Sequence, residues 1–173
     1  MQAWTIVHSG ESVLSLSEVP EPTPAPDELV VQVQAFSPNP GDLAALDGQS
    51  AGSIPGWDGS GLVLQSAANG LGPKPGDHVV FLSLAAGGWA QRRAVPLSMT
   101  AVAPPDVSWP HLAALPVPAT SALRALRKLG SVLGRRILIV GVTSSVGRVA
   151  VQLAARSGAQ VIAVARDVSQ HPA

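Results

Sequence analysis

Up to residue 103 the chain is a series of short apolar or alternating runs separated by proline and glycine. A polar residue at every second position marks a strand with one face buried. Residues 13–17 (VLSLS) and 29–33 (LVVQV) are two of these apolar or alternating runs, and 61–65, 78–82, 89–95 and 100–103 are further strand candidates. Pro20, Pro22, Pro24 and Pro26 lie between the first two runs, too closely spaced for a regular element, so this connector is expected to be extended and polyproline-like. Gly72, Pro73, Pro75 and Gly76, with Asp77 behind them, predict a turn into the strand at 78–82.

Near Ser108 the pattern changes. Ser108 can cap a helix whose first turn carries Pro110, where a missing amide costs little. Residues 111–115 then look helical until Pro116 and Pro118 interrupt them, and 119–129 predict a second helix ended by Gly130. Residues 137–140 (ILIV) are apolar throughout, the mark of a strand buried on both faces of a parallel sheet. A glycine turn follows, then a helix over 146–156, Gly158, and a second apolar strand at 160–165 (QVIAVA). Strand, glycine turn, helix and strand make the opening unit of a Rossmann-type sheet. The expected fold is therefore a mainly β domain over 1–108 followed by an α/β domain over 109–173 holding an incomplete βαβ unit.

Charge narrows the function. Eleven basic and eleven acidic residues cancel and neither sign gathers in a block, so partnership with nucleic acid or an anionic membrane is not expected. The start shows no leader pattern and no apolar run approaches a membrane span, so the expected location is the cytoplasm. Cysteine is absent, which removes disulfides, thiolate nucleophiles and cysteine-based zinc sites. Tyrosine, a common proton donor in reductases, is absent too.

The chemistry gathers at the turn Gly141, Val142, Thr143, Ser144, Ser145, Val146, Gly147. Amides at a helix start, aided by the helix dipole, can hold a pyrophosphate, and glycines let backbone approach it. The spacing is not Gly-x-Gly-x-x-Gly, because Ser144 stands where a middle glycine would fall, so the loop alone also fits a structural turn.

The surrounding segments, taken in order, resemble those of the zinc-independent medium-chain dehydrogenases/reductases of quinone oxidoreductase and enoyl reductase type. They are Ala35–Asp42 (AFSPNPGD), Pro55–Gly61 (PGWDGSG), Pro75–Val79 (PGDHV), Gly87–Gln91 (GGWAQ), Ala113–Val117 (AALPV), Ser121–Ala122, and Val146–Ala154 (VGRVAVQLA). The resemblance spans essentially the whole chain. It implies a GroES-like, β-barrel-type domain followed by the start of a Rossmann domain, with NADPH delivering hydride to a small carbonyl or quinone substrate. Zinc-dependent relatives place a cysteine in the segment 37–42 and a histidine–glutamate pair where this chain has Trp57 and Asp58, so no zinc is expected here.

Residue by residue, the resemblance places Asn39 beside the nicotinamide and the substrate carbonyl, where an amide orients or polarises an oxygen; between two prolines it also suits a plain turn. Asp42 is read as a helix cap, Asp58 as a turn residue or buried acceptor, and Trp57 and Trp89 as packing. One of Arg92 and Arg93 at least is expected to face solvent. Ser121 matches a threonine at a helix start near the cofactor, against the alternative of an ordinary helix residue. Arg166 follows the second Rossmann strand, where an acidic residue would bind a ribose hydroxyl and an arginine suits a 2′-phosphate; Asp167 beside it weighs the other way, and a solvated surface charge is the alternative. The proton that follows hydride would come from water or from another segment. Two parallel strands and one helix leave bare sheet edges, which suggests a fragment, one half of a split enzyme or an inactive remnant, self-associating or completed by another chain. The competing function is a non-catalytic interaction protein that keeps the reductase fold.

Overall fold

The computed structural model describes residues 1–9 and 12–166. They form two compact units that divide between Pro116 and Val117. The first unit holds a hairpin of β1 (Gln2–Ser9) and β2 (Ser12–Glu18) and a five-stranded antiparallel sheet. That sheet comprises β3 (Glu28–Phe36), β4 (Asp58–Gln65), β5 (His78–Leu82), β6 (Arg92–Pro96) and β7 (Thr100–Val102), in the order β6-β3-β4-β5-β7. Residues 19–25 between β2 and β3 carry no regular structure, in keeping with the alternate Pro20, Pro22 and Pro24.

Alternation decides the core. Leu29 and Val31 on β3, Val63 on β4, Val79 and Phe81 on β5 and Val95 on β6 turn inward and form one buried cluster. Glycine sets the strand spacing where β4 crosses β3: the register slips between Val33 and Ala35, opposite Gly61 and Ser60. Helix α1 (Pro40–Ala45) leaves β3 through the segment Ser37–Asn39. Helix α2 (Trp109–Ala113) belongs to this unit, lying on β3, β4 and β5. Trp109 stacks on His78 with ring centroids 4.2 Å apart, and its carbonyl accepts the Ser60 hydroxyl at 2.8 Å.

At the start of the second unit, α3 (Pro116–Arg127) opens at the first of the two prolines expected to interrupt the helix at 111–115, three residues ahead of the start expected at 119. The amides of a helix's first turn have no intrahelical acceptor, so Pro116 and Pro118 open the helix at no cost in hydrogen bonds. A parallel pair follows, β8 (Arg136–Val140) and β9 (Gln160–Val164), joined through α4 (Ser145–Arg156), which packs on both strands. The expectation that β8 is buried on both faces is not met among the described residues. Leu138 is 60% exposed and Val140 72%, because α4 covers one face only. Among the described residues no helix is long and apolar enough to cross a membrane.

Candidate functional site

Asn39 is the N-cap of α1, and its placement follows from the local sequence. Pro38 and Pro40 fix the chain on either side, and Asp42, three residues on, returns its carboxylate to the Asn39 backbone amide at 2.9 Å, the return arm of a capping box. Asp42 is thus the third helical residue and the partner of the cap, not the cap itself. Asn39 Nδ2 donates to Asp42 Oδ2 at 2.9 Å, to Asp58 Oδ1 at 2.8 Å and to the Ser37 carbonyl at 3.1 Å. All three side chains are buried, Asn39 at 6% exposure, Asp42 at 1% and Asp58 at 0%. Carboxylates on both sides dictate the amide's orientation, since a flipped Asn39 would aim its oxygen at two anions. Its donor capacity is consequently spent inside the protein, and the group it has for a ligand is the oxygen, which carries two lone pairs.

Beside this cluster the Trp57 ring lies against Gly41, where a Cβ would fall 2.7 Å from the ring. Trp57 also walls an open recess of about 720 Å³, together with Gln49, Ser53, Leu84, Ala86 and Gly87. Ala86 holds φ at +60°, a left-handed conformation that a residue with a Cβ adopts at a cost. Nothing in the sequence of that loop marked this strain. Among the described residues no group of three metal-ligating side chains comes together.

In the second unit Gly141, Thr143, Ser144, Ser145, Val146 and Gly147 form one turn into α4. Gly141 has φ +76° and open space where a Cβ would stand. Ser144 is the N-cap: its Oγ donates to the Gly141 carbonyl at 2.8 Å and accepts the Gly147 amide at 3.0 Å. Serine at the middle-glycine position therefore does the work of a cap. The amides of Ser145 and Val146 have no acceptor within the helix and point from its positive end. Gly147 has no room for a side chain, a Cβ there lying 2.2 Å from the Gly141 carbonyl oxygen. Arg148 Nε donates to the Thr143 carbonyl at 3.2 Å and ties down the turn's crest.

The end of β9 is sewn to this turn, with the Val164 carbonyl accepting the Gly141 amide at 3.0 Å. Arg166 follows two residues on and is exposed; Asp167 lies outside the described residues. Ser121 is exposed in the interior of α3 and not at a helix start, because the helix begins at Pro116. The turn and Arg166 are thus neighbours, while Asn39 belongs to the first unit.

Residues 25–106 match the alcohol dehydrogenase GroES-like domain. A chloroplastic quinone-oxidoreductase homolog of Spinacia oleracea is 37% identical over 169 residues, covering 89% of this chain and 51% of the relative. The 2-methylene-furan-3-one reductase of Solanum lycopersicum is 30% identical over 175 residues, covering 89% of this chain and 44% of its own. Among solved structures, the quinone oxidoreductase of Thermus thermophilus, determined also in complex with NADPH, matches with a TM-score of 0.84 and 28% identity over 98% of this chain and 55% of that one. The chain spans about half the length of these relatives. By these matches, and by the sheet and glycine turn that underlie them, the chain belongs to the medium-chain dehydrogenase/reductase family, on its quinone oxidoreductase side.

Proposed function

We propose that this chain supplies the nicotinamide-binding residues of a zinc-independent reductase that uses NADPH and acts on a quinone, an enone or an enoyl compound. The observation that carries the reading is the capped glycine turn with Arg166 beside it. The residues suit the group: Gly141 leaves open space at the turn, Ser145 and Val146 present helix-start amides to a pyrophosphate, and the Arg166 guanidinium is a match for a 2′-phosphate. Bound there, the nicotinamide would supply the hydride.

This chain's own residues hold and orient. Asn39 is fixed by Asp42 and Asp58, so it serves as an acceptor for a donor on the substrate, and not as a polarising donor to a carbonyl oxygen. Trp57, Leu84 and Ala86 offer the recess an apolar wall suited to an uncharged conjugated ring or chain. The names of the spinach and tomato relatives, a quinone oxidoreductase homolog and a furanone reductase, support that substrate class, and the NADPH complex of the Thermus protein supports the cofactor. Asp58 stands where zinc-dependent relatives have a ligand and is engaged with Asn39, which supports a reaction without zinc.

Calorimetric titration of the chain with NADPH and NADH tests this. NADPH is expected to bind more tightly, and Arg166→Ala to remove the preference by about tenfold or more, as for a hydrogen bond between charged groups worth about 1.5–3 kcal/mol. Equal affinity for both nucleotides would remove the role of Arg166. A folded chain that binds neither would favour the non-catalytic alternative.

A further inference from the structure

Arg93 points inward from β6, opposite Val31 of β3, and is 6% exposed. Its guanidinium lies 5.6 Å from the Phe81 ring centroid and donates to the carbonyls of Gly56 at 3.3 Å, Trp57 at 3.5 Å and Ser83 at 3.4 Å. Among the described residues no carboxylate forms an ion pair with it. Burial pushes it down to about 10, so it stays charged at neutral pH. A buried cation satisfied by carbonyls alone is costly, and an apolar side chain of similar volume would fill the space without that cost.

The acceptors show what the charge holds. The Gly56 carbonyl already receives the Gly88 amide at 2.8 Å and the Trp57 carbonyl the Ser83 amide at 2.8 Å, so Arg93 takes up further lone pairs where two loops are joined. The next residue, Asp58, receives the Asn39 side chain at 2.8 Å, and the Trp57 ring rests on Gly41 in the first turn of α1. Both side chains that brace the Asn39 turn from outside α1 therefore hang on the segment Arg93 clamps.

We propose that Arg93 is the positioning residue for Asn39, acting through the segment Gly56–Trp57–Asp58. The proposal rests on the reading of Asn39 as a ligand-facing group, and its test is made independent of any ligand. The Nδ2 protons of Asn39 are shared among the Asp42 and Asp58 carboxylates and the Ser37 carbonyl, so their two amide resonances are expected to lie well apart and away from free-amide positions. In Arg93→Met the two are expected to converge toward free-amide positions, and in Arg93→Lys, which keeps the charge and one donor, part of the separation returns. Tryptophan fluorescence during denaturation shows whether each variant is folded. A folded Arg93→Met with an unchanged Asn39 amide overturns the proposal, since loss of packing alone lowers stability and leaves that signal in place. If neither variant folds, the reciprocal experiment decides: Asn39→Ser should shift the Arg93 guanidinium protons, and their staying in place overturns it. Failure of the NADPH titration, by contrast, removes the nucleotide-binding reading of the second unit and leaves this coupling within the first unit intact.

Discussion

Gly61→Ala is expected to unfold the first unit under conditions where the native chain is folded. A Cβ at Gly61 would stand 2.0 Å from the Gln32 carbonyl oxygen and 2.8 Å from Val31 Cγ1. The first obstacle is backbone, and it belongs to the neighbouring strand. Adjacent strands are held about 4.8 Å apart by their ladder, so relief requires β3 and β4 to separate where both are sewn to further strands. Val31, the second obstacle, is wholly buried in the core cluster. The expected cost is about 4 kcal/mol or more, beyond the usual 0.5–3 kcal/mol of a point substitution and a large part of the 5–15 kcal/mol that holds a domain together. Urea unfolding followed by tryptophan fluorescence measures it selectively, because Trp4, Trp57, Trp89 and Trp109 all lie in the first unit. Gly48→Ala, with nothing within 4 Å of its Cβ, is the matched control. An unfolding midpoint for Gly61→Ala equal to the control's would show that the strands yield more easily than the packing suggests.

Where alternation and hydrophobicity coincide, the elements could be read to the residue, as at β5, whose inward Val79 and Phe81 alternate with less buried neighbours behind a proline–glycine turn. The same rule hides β1. There Ala3 and Thr5 face inward, at 1% and 5% exposure, while Trp4 faces out at 39%. Thr5 is satisfied inside by the Ser17 hydroxyl at 2.9 Å and the adjacent Ile6 is buried as well, at 0% exposure, so burial along the strand follows no apolar–polar alternation. The start of β4 was missed for a related reason: Asp58, Gly59 and Ser60 are buried but not apolar. The ladder of β6 begins at Arg92, after Trp89, whose segment meets β1 at the isolated bridge between Ala3 and Ala90. At α3, prolines read as breakers proved to be the opening turn, because their effect depends on position and not on identity alone.

The candidate site divides along the same line. The relation of Asn39 to Asp42 is local, three residues apart, and Asp42 was legible as part of a cap. That Asp58 is an acceptor was legible as well, but that it accepts from Asn39 was not, since the pair is brought together by β3 and β4 meeting, which no local pattern records. Arg93 gave no signal. Beside Arg92, one member of the pair was expected to face solvent, and Arg92 does, meeting the exposed Glu21. Which neighbour turns inward is decided by strand register, and the reason a charge is tolerated there is the set of carbonyls from two distant loops.

In the second unit, Gly147→Ala is expected to weaken nucleotide binding about a hundredfold while leaving the first unit intact. A Cβ at this position would fall 2.2 Å from the Gly141 carbonyl oxygen and 2.8 Å from Val142 Cα, so α4 must withdraw from the turn. Withdrawal breaks the 3.0 Å bond from the Gly147 amide to Ser144 Oγ, worth about 1 kcal/mol as an N-cap. It also carries the Ser145 and Val146 amides away from the place where a pyrophosphate would meet them. A displacement near 1 Å of positioned groups costs about a hundredfold in function elsewhere, and a loss of that order in NADPH affinity is expected. Ser144→Ala separates the two effects, since it removes the cap and leaves the glycine contact, so its loss should stay near fivefold, as about 1 kcal/mol implies. Tryptophan unfolding of the first unit should be the same in both variants, because no tryptophan lies beyond Trp109. Wild-type NADPH affinity in Gly147→Ala would mean that the turn is a structural link between β8 and α4 and that the cofactor, if one binds, is held elsewhere.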